Sequence, residues 1–597
     1  MQIMLKILQP ICSRRNNSPV KLSYLKCVLT TTGKSVKLVR MNFTFAEPYR
    51  CSIYCQGDLL KTVQLAEIFN DSKTFVDLYQ LNDPEVTLSN FKKLMEATDN
   101  NPNHSQVTEF VSENFAQESD SELETWSPPD WQENPPILNR IKDETYRKWV
   151  KELNRIWPQL ARKVKPEVAE HPERHSLIYA PNGFIVPGGR FRECYYWDSY
   201  WAMRGMLLCG MNDTVRGMLE NFFTVIKKYG FIPNGFRSYY LMRSQPPMLA
   251  QMVASYMEVT NDIDFLRANI ATIELELDYW LQEMFVEVKK GGKTYQVARY
   301  TVHSDVGPRP ESYREDYNNA QKLGSDRSES FYTDMKAGAQ SGWDFTGRWF
   351  DETDGVLGNL TTIRTRTIVP VDLNAFLQRD AQLLSDFYSW LNEPTKSEYY
   401  GKMANLIQDG LDNVLWNEQE EMWLDYDIEQ QRSRNRYYAS NFAPLYCGSY
   451  NRSKAKDLAE SSVRHLEKHG ITQFMGGSPV SKDNTGEQWD YPNAWPNMQS
   501  VIVFGLQRTG WEPATSLAKV LATRWLHANY LGFSEYDVLF EKYSAINPGE
   551  YGGGGEYNVQ TGFGWTLGVI MEFMDQWGES ISIEDSASNS DSDAAER

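Results

Sequence analysis

Four short stretches of the chain interleave carboxylates and arginines with tryptophan, tyrosine and glycine. The first, Pro187 to Trp201, reads "PGGRFRECYYWDSYW" and carries Arg190, Arg192, Glu193, Trp197 and Asp198 immediately before an apolar helical repeat. The second, "NGFRSYYLMRSQPP", offers Asn234, Arg243 and Gln245. The third is "GPRPESYREDY" with the later "SGWDFTGRW", which hold Arg309, Glu311, Asp344 and Arg348. The fourth runs from "GEQWDYPNAWPNMQS" through "LFEKYS" to "EYGGGGEYNVQTGFGW" and holds Asp490, Glu541 and Glu556. Glycosidic cleavage uses such parts together. One protonated carboxyl donates to the leaving oxygen, and a second carboxylate serves as base or nucleophile. A tryptophan directly before Asp344 predicts a poorly hydrated carboxyl, with its pKa raised toward the acid form. Arginines and amides can donate to several hydroxyls at once, and indole faces can stack on sugar rings.

The glycine-rich run has a competing reading, because backbone amides in such a loop can cradle a phosphate. It lacks the Gly-Lys-Ser/Thr ending of a P-loop, follows no convincing strand, and places carboxylates where a phosphate would be repelled. A neutral, hydroxyl-rich ligand fits better. The glycines then permit positive φ and a close approach to the ligand, and the loop joining Glu541 to Glu556 is expected to act as a mobile lid that excludes bulk water.

The elements that must position these clusters are helices. Apolar residues recur at helical spacing in "YWAMRGMLLCGM", "VRGMLENFFTVIKKYG", "PMLAQMVASYMEVT", "FLRANIATIELELDYWLQEMF", "LNAFLQRDAQLLSDFYSWL", "YYGKMANLIQDGLDNVLW", "AKDLAESSVRHLEKHG", "MQSVIVFGLQRTG", "ATSLAKVLATRWLHANYLG" and "WTLGVIMEFMDQW". Glycine or proline punctuates most of their ends. Many helices joined by chemically rich loops predict an all-α fold, a closed ring of helical hairpins with the site at one mouth. No fixed-period repeat supports a solenoid. Residues 1–48 lack helical periodicity and read as a leader or disordered arm, 49–577 as one domain, and the acidic, serine-rich 578–597 as a disordered tail.

Composition narrows the partners. The 597 residues include 61 Lys and Arg against 79 Asp and Glu, a formal net charge of −18, with no basic stripe, which argues against nucleic acid. Aromatics make up 13%, with 18 Trp and 33 Tyr, more than a core alone requires, and this favours a cleft for a ligand with flat apolar faces and polar edges. Seven cysteines do not make a disulfide scaffold, although Cys51 and Cys55 in "CSIYC" are close enough in sequence to pair. Without a Cys/His cluster of ligand spacing, an HExxH or a Walker A lysine, neither metal nor cofactor is expected. No run of 18 apolar residues suggests a membrane helix. The opening "MQIMLKILQPICSRR" is too short and broken for a secretory h-region. Sequons at Asn16, Asn42, Asn70, Asn103, Asn212, Asn359 and Asn451 nonetheless favour secretion.

Taken together, "PGGRFRECYYWDSYW", "SGWDFTGRW", "QWDYPNAWPN", "EKY" and "GGGGEYNVQTGFGWT" resemble, in this order, the blocks of the trehalases, and "CSIYCQGDLLKTVQLAEIFNDSKTFVDLY" resembles the start of animal members. The resemblance covers about residues 49–577. It implies an (α/α)6 barrel that hydrolyses α,α-trehalose to two glucoses with inversion, without cofactor, as a soluble, secreted monomer. It makes Asp344 the general acid and Glu541 the general base. Substrate contacts fall on Arg190, Trp197, Asp198, Asn234, Arg243, Ser244, Gln245, Arg309, Pro310, Glu311, Gly342 and Glu556. The chain departs from the family pattern at Ala494, usually Gly, at Asn497, usually Pro, at Gln340, usually Glu, and at Ser544, usually Asp. The last two remove charges close in sequence to the proposed acid and base. Two other readings stay open: a catalytically silent sugar-binding relative, and a helical-barrel glycosidase for another α-glucoside.

Overall fold

The computed structural model describes residues 21–29, 36–44, 52–118, 121–302 and 307–584. Within the segment read as a leader or arm, Lys21–Leu29 pairs antiparallel with Val36–Thr44. The remainder of that arm, Cys51, and residues 585–597 of the tail lie outside the described residues. The tail's first residues pack down: Ile581 is buried in the main core, and the Ile583 N–H donates to the Asp143 carboxylate.

Helices dominate. An N-terminal group comprises α1 (Asp58–Leu65), α2 (Ser72–Asp77), α3 (Pro84–Ala97) and α4 (His104–Asn114). After α5 (Glu144–Leu153) come α6 (Asp198–Leu208), α7 (Asn212–Tyr229), α8 (Leu249–Thr260) and α9 (Ile263–Glu283). Next are α10 (Ser328–Gln340), α11 (Val371–Trp390), α12 (Pro394–Gly410), α13 (Ala443–Cys447) and α14 (Ala455–Lys468). The chain continues with α15 (Pro496–Arg508), α16 (Glu512–Tyr536) and α17 (Gly564–Trp577).

Their packing closes a ring. Helix α6 packs on α8, α8 on α11, α11 on α13, α13 on α15, α15 on α17, and α17 back on α6. These inner helices are apolar nearly all round, as helices buried on every side must be; α17 buries all but two residues of "GWTLGVIMEFMDQW". The outer layer is amphipathic. In α16 the buried positions Ala514, Ala518, Leu521, Ala522, Trp525, Leu526 and Asn529 recur every three or four residues and face inward. Helices α7 and α9 cover α8, α12 covers α11, and α16 covers α15. Helix α5 reaches α16 through Tyr146 and Trp149, whose rings meet Tyr530 edge-on. The alternation of inner and outer helices is the expected (α/α)6 arrangement. Its closing seam depends on glycine: a Cβ on Gly205 of α6 would come within 2.6 Å of Gly568 Cα in α17, and one on Gly568 within 2.1 Å of the Trp201 carbonyl.

Sheets are small and local. The hairpin Phe285–Lys290 with Lys293–Ala298 and the two-residue pair Asn493–Ala494 with Tyr543–Ser544 serve as struts between helices. The N-terminal helices form a satellite core with Tyr195, Tyr239 and Tyr240, directly behind two of the clusters singled out above.

Candidate active site

The clusters converge at one end of the inner ring because they immediately precede inner-helix N-termini. Asp198 opens α6, Gln245 stands just before α8, Trp495 caps α15, and Phe563 and Trp565 flank the start of α17. Asp344 and Glu541 arrive on loops after α10 and α16. A single cavity is lined by Asp344, Glu541, Arg190, Trp197, Asp198, Asn234, Arg243, Gln245, Arg309, Glu311, Gly342 and Glu556. Two of the residues expected there stand behind it. The Ser244 hydroxyl donates to the Ile232 carbonyl at 2.6 Å, and the Pro310 carbonyl accepts from the Gln64 amide at 2.9 Å.

Tryptophan forms the floor. Trp489 and Trp495 stack at 3.9 Å with planes 5° apart, and Trp197 and Trp565 meet them tilted or edge-on. Offset and edge contacts of this kind hold rings rigidly. Gly342 is required by this floor. It has φ +75°, and a Cβ there would sit 2.4 Å from the Trp197 ring. Trp343 does not line the cavity: it packs beneath Trp489 at 5.0 Å and under the Arg348 guanidinium at 4.8 Å. The dryness expected beside Asp344 therefore comes from the whole aromatic wall.

The arginines are held before any ligand arrives. Arg243 donates to Asn234 at 2.9 Å and Glu311 at 2.6 Å. Burial pushes the Glu311 carboxyl up, but Arg243 and Arg309 outweigh it and hold the group below its ordinary range. Arg309 grips Asp316 with two guanidinium nitrogens at 3.0 and 2.7 Å and also reaches Glu556 at 2.6 Å. Arg190 forks onto Asp71, just ahead of α2, at 2.7 and 2.6 Å and lies over the Tyr557 ring at 4.7 Å. Such bidentate pairs fix the planes of the guanidiniums and leave their remaining N–H groups aimed.

The carboxyls divide by environment. Burial pushes Asp344 up to about 7 against the opposing pull of Arg309, and burial likewise raises Asp198 to about 7. Glu541 is 2% exposed; burial raises it too, but Lys542 pulls the other way from 3.6 Å and the Tyr557 hydroxyl donates to Oε1 at 3.0 Å. Its Oε2 accepts no hydrogen bond. A carboxyl that keeps its proton near neutrality, on the same cavity as one beside a cation, is the pairing that acid and base catalysis requires, although burial raises Glu541 on balance as well.

Other residues of the clusters are structural. Arg348 is clamped between Asp372 and Asp425. Glu193 joins Lys73, Arg237 and Tyr195 in a buried ionic network beneath the site. Asp490 accepts from Thr346, Gly347, Ser481 and Thr485. Arg192 donates to the Gly189 carbonyl at the surface. The four departures lie outside the cavity lining. Gln340 is buried, and with its amide turned to suit its neighbours it donates to the Thr301 carbonyl and accepts from the Ser244 N–H. The Ser544 hydroxyl accepts from the N–H groups of Ile546 and Asn547. The Asn497 side-chain oxygen accepts from the next residue's N–H, Met498, in the first turn of α15, and Ala494 sits in the strut.

The glycine-rich loop borders the cavity through Glu556 and Tyr557. Gly554 and Gly555 have φ of +78° and +84°, and Gly553 exchanges hydrogen bonds with the Asn493 side chain on one side. On the other side Glu556 accepts from Arg309 and from the Ser312 hydroxyl.

A sequence model of the trehalase family matches residues 67–578. The chain belongs to the trehalase family. Among curated trehalases it is 55% identical to that of Pimpla hypochondriaca over 526 residues, which is 88% of this chain and 89% of the relative. It is 43% identical to the human trehalase over 534 residues, 89% of this chain and 91% of the relative. Among solved structures, the neutral trehalase of Saccharomyces cerevisiae superposes with a TM-score of 0.52 at 24% identity, over 66% of this chain and 73% of that one, which supports the shared fold. The cavity is also lined by residues not singled out in the sequence, most of them inside the same motifs. These are Tyr557, Trp489, Trp495 and Trp565, with Phe191, Tyr195, Tyr240, Ser312, Ala339 and Phe563. Among the described residues no cluster of His, Cys, Asp and Glu could hold a metal ion, and no helix is long and apolar enough to cross a membrane.

Proposed function

We propose that this trehalase-family chain is a glycoside hydrolase that cleaves α,α-trehalose into two glucoses with inversion. Asp344 gives its proton to the interglycosidic oxygen as that bond to the anomeric carbon breaks. Glu541 takes a proton from the water that attacks the same carbon from the opposite face. The observation that carries this reading is the pair itself: a half-buried Asp344 and a buried Glu541 on one tryptophan-floored cavity, Asp344 raised to about 7 and Glu541 beside the Lys542 ammonium. Asn234, Arg243, Gln245, Arg309 and Arg190 supply donors for sugar hydroxyls, Glu311, Asp198 and Glu556 supply acceptors, and Trp197 and its neighbours supply the stacking faces. Inversion requires the two carboxyl groups to stand far enough apart for a water, roughly 6.5–9.5 Å. We further read the chain as secreted, on the strength of its sequons, where the side chains at Asn70, Asn103, Asn359 and Asn451 are exposed, and as a monomer.

Glucose release from trehalose tests the reading. The parent chain is expected to turn over, while Asp344→Asn and Glu541→Gln each lose about 10²–10⁴-fold in kcat. A parent that binds trehalose without releasing glucose would make it a silent binder. Faster release from maltose, sucrose or cellobiose would make it a glycosidase of another specificity.

A further inference from the structure

Lys542, the residue after the proposed base, is fully buried and does not line the cavity. Its ammonium donates to Gln488 Oε1 at 2.7 Å and stands 3.6 Å from Glu541 Oε2. It also lies over the rings of Trp495 at 4.9 Å and Tyr557 at 5.4 Å. These four neighbours are a carboxylate, an amide oxygen and two ring faces, all of which attract a cation; burial still lowers the Lys542 pKa on balance, with Glu541 and Asp344 pulling the other way. Gln488 in turn donates its amide to the backbone carbonyl of Asp344. One glutamine side chain thus ties the acid's backbone to the cation beside the base.

We propose that Lys542, anchored by Gln488, is a positioning residue that keeps Glu541 ionised and fixes its placement relative to Asp344. This rests on Asp344 and Glu541 being the acid and base. The need for it follows from the geometry. Glu541 is buried, so desolvation favours its protonated form, which cannot take a proton from water. The charged and titratable groups around it are Lys542, Tyr557 and Arg190, which favour ionisation, and Asp198, whose negative charge opposes it. Lys542 also feels Asp344. Among the favourable groups Lys542 exerts the largest pull. Because it does not itself line the cavity, its removal is expected to alter proton transfer more than sugar binding.

The test uses the full chain with α,α-trehalose and follows kcat/KM against pH for Lys542→Met and Gln488→Met. Removing an opposite charge at this distance moves a carboxyl by about 1–3 pH units. The limb of the profile that falls toward acid should therefore shift upward by that amount in Lys542→Met, with KM changed less than threefold. Gln488→Met, which keeps the cation and frees it from its anchor, should shift the same limb by less. An unmoved limb, or a KM that rises while kcat holds, overturns the proposal. If Lys542→Met does not fold, Gln488→Met decides on the same criterion. Glu541→Gln separates the two levels. Full activity in that variant refutes the base assignment itself, whereas an inactive Glu541→Gln with an unmoved limb in the Lys542 and Gln488 variants refutes this inference alone.

Discussion

Replacing Gly342 by alanine perturbs the site without touching a charge, and the outcome can be worked from geometry. The residue holds φ +75°, and its added Cβ would meet three Trp197 ring atoms at 2.4, 2.6 and 2.8 Å. A left-handed conformation costs a non-glycine residue roughly 1–2 kcal/mol. Overpacking against a rigid neighbour adds about 1–3 kcal/mol. Trp197 has little room to give, since Trp201, Trp489 and Trp565 all pack on it at 5.5–5.9 Å. If the protein keeps its present geometry, Gly342→Ala should lose about 2–5 kcal/mol in denaturant unfolding. If Trp197 instead swings aside, stability recovers and kcat/KM for trehalose falls by about 10²-fold, as expected for a small displacement in a site that works by orientation. Paired unfolding and glucose-release measurements distinguish the two. A variant within about 0.5 kcal/mol and threefold of the parent on both counts, the range of an ordinary surface change, would refute the packing argument.

Further outcomes follow from the same geometry. The kcat/KM profile should fall as pH rises past about 7, where Asp344 loses its proton, and Asp344→Asn should abolish that limb together with most activity. Because the folded chain retains at Asp344 a proton that the unfolded chain releases near 3.8, this group costs stability as pH climbs from about 4 to 7. Asp344→Asn should therefore gain on the parent across that window, by at most about 4 kcal/mol, in chemical unfolding at stepped pH. Asp71→Ala removes the carboxylate that aims Arg190 and should raise KM severalfold with little change in kcat, read from initial rates. The loop around Gly552–Glu556, tied to Arg309 only through Glu556, should exchange its amides more slowly when a sugar-mimicking inhibitor binds.

Much of this architecture is legible in the chain because its inner helices are mostly apolar and its outer ones are striped. What resists reading is closure. Nothing in the spacing says that Gly205 must meet Gly568, and α13 is too short to show a period. Helix α10, "SESFYTDMKAGAQ", hides for another reason: its buried face mixes Asp334, Lys336 and Gln340 with Phe331, Met335 and Ala339, so its short apolar stripe is masked. The site is legible where one short stretch holds several chemically suited residues, as with Trp197 and Asp198 or Arg243 and Gln245. It is not legible where partners come from far apart. Tyr557 reaches Glu541 from the glycine loop, Asp71 reaches Arg190 across 119 positions, and the tryptophan floor is drawn from three segments. Neighbours in sequence also diverge in space: Ser244 and Pro310 sit between cavity residues yet turn into the support behind them. The same holds for Trp343, which packs beneath Trp489 and does not itself line the cavity.

The most direct measurement is the anomeric form of the first glucose released from α,α-trehalose, followed by proton NMR before mutarotation. One glucose leaves with its anomeric bond intact, and the other is attacked by the water that Glu541 activates. Asp344 and Glu541 acting as acid and base across an intervening water predict equal α- and β-glucose in the earliest spectra. α-Glucose alone, or no glucose at all, would contradict the account.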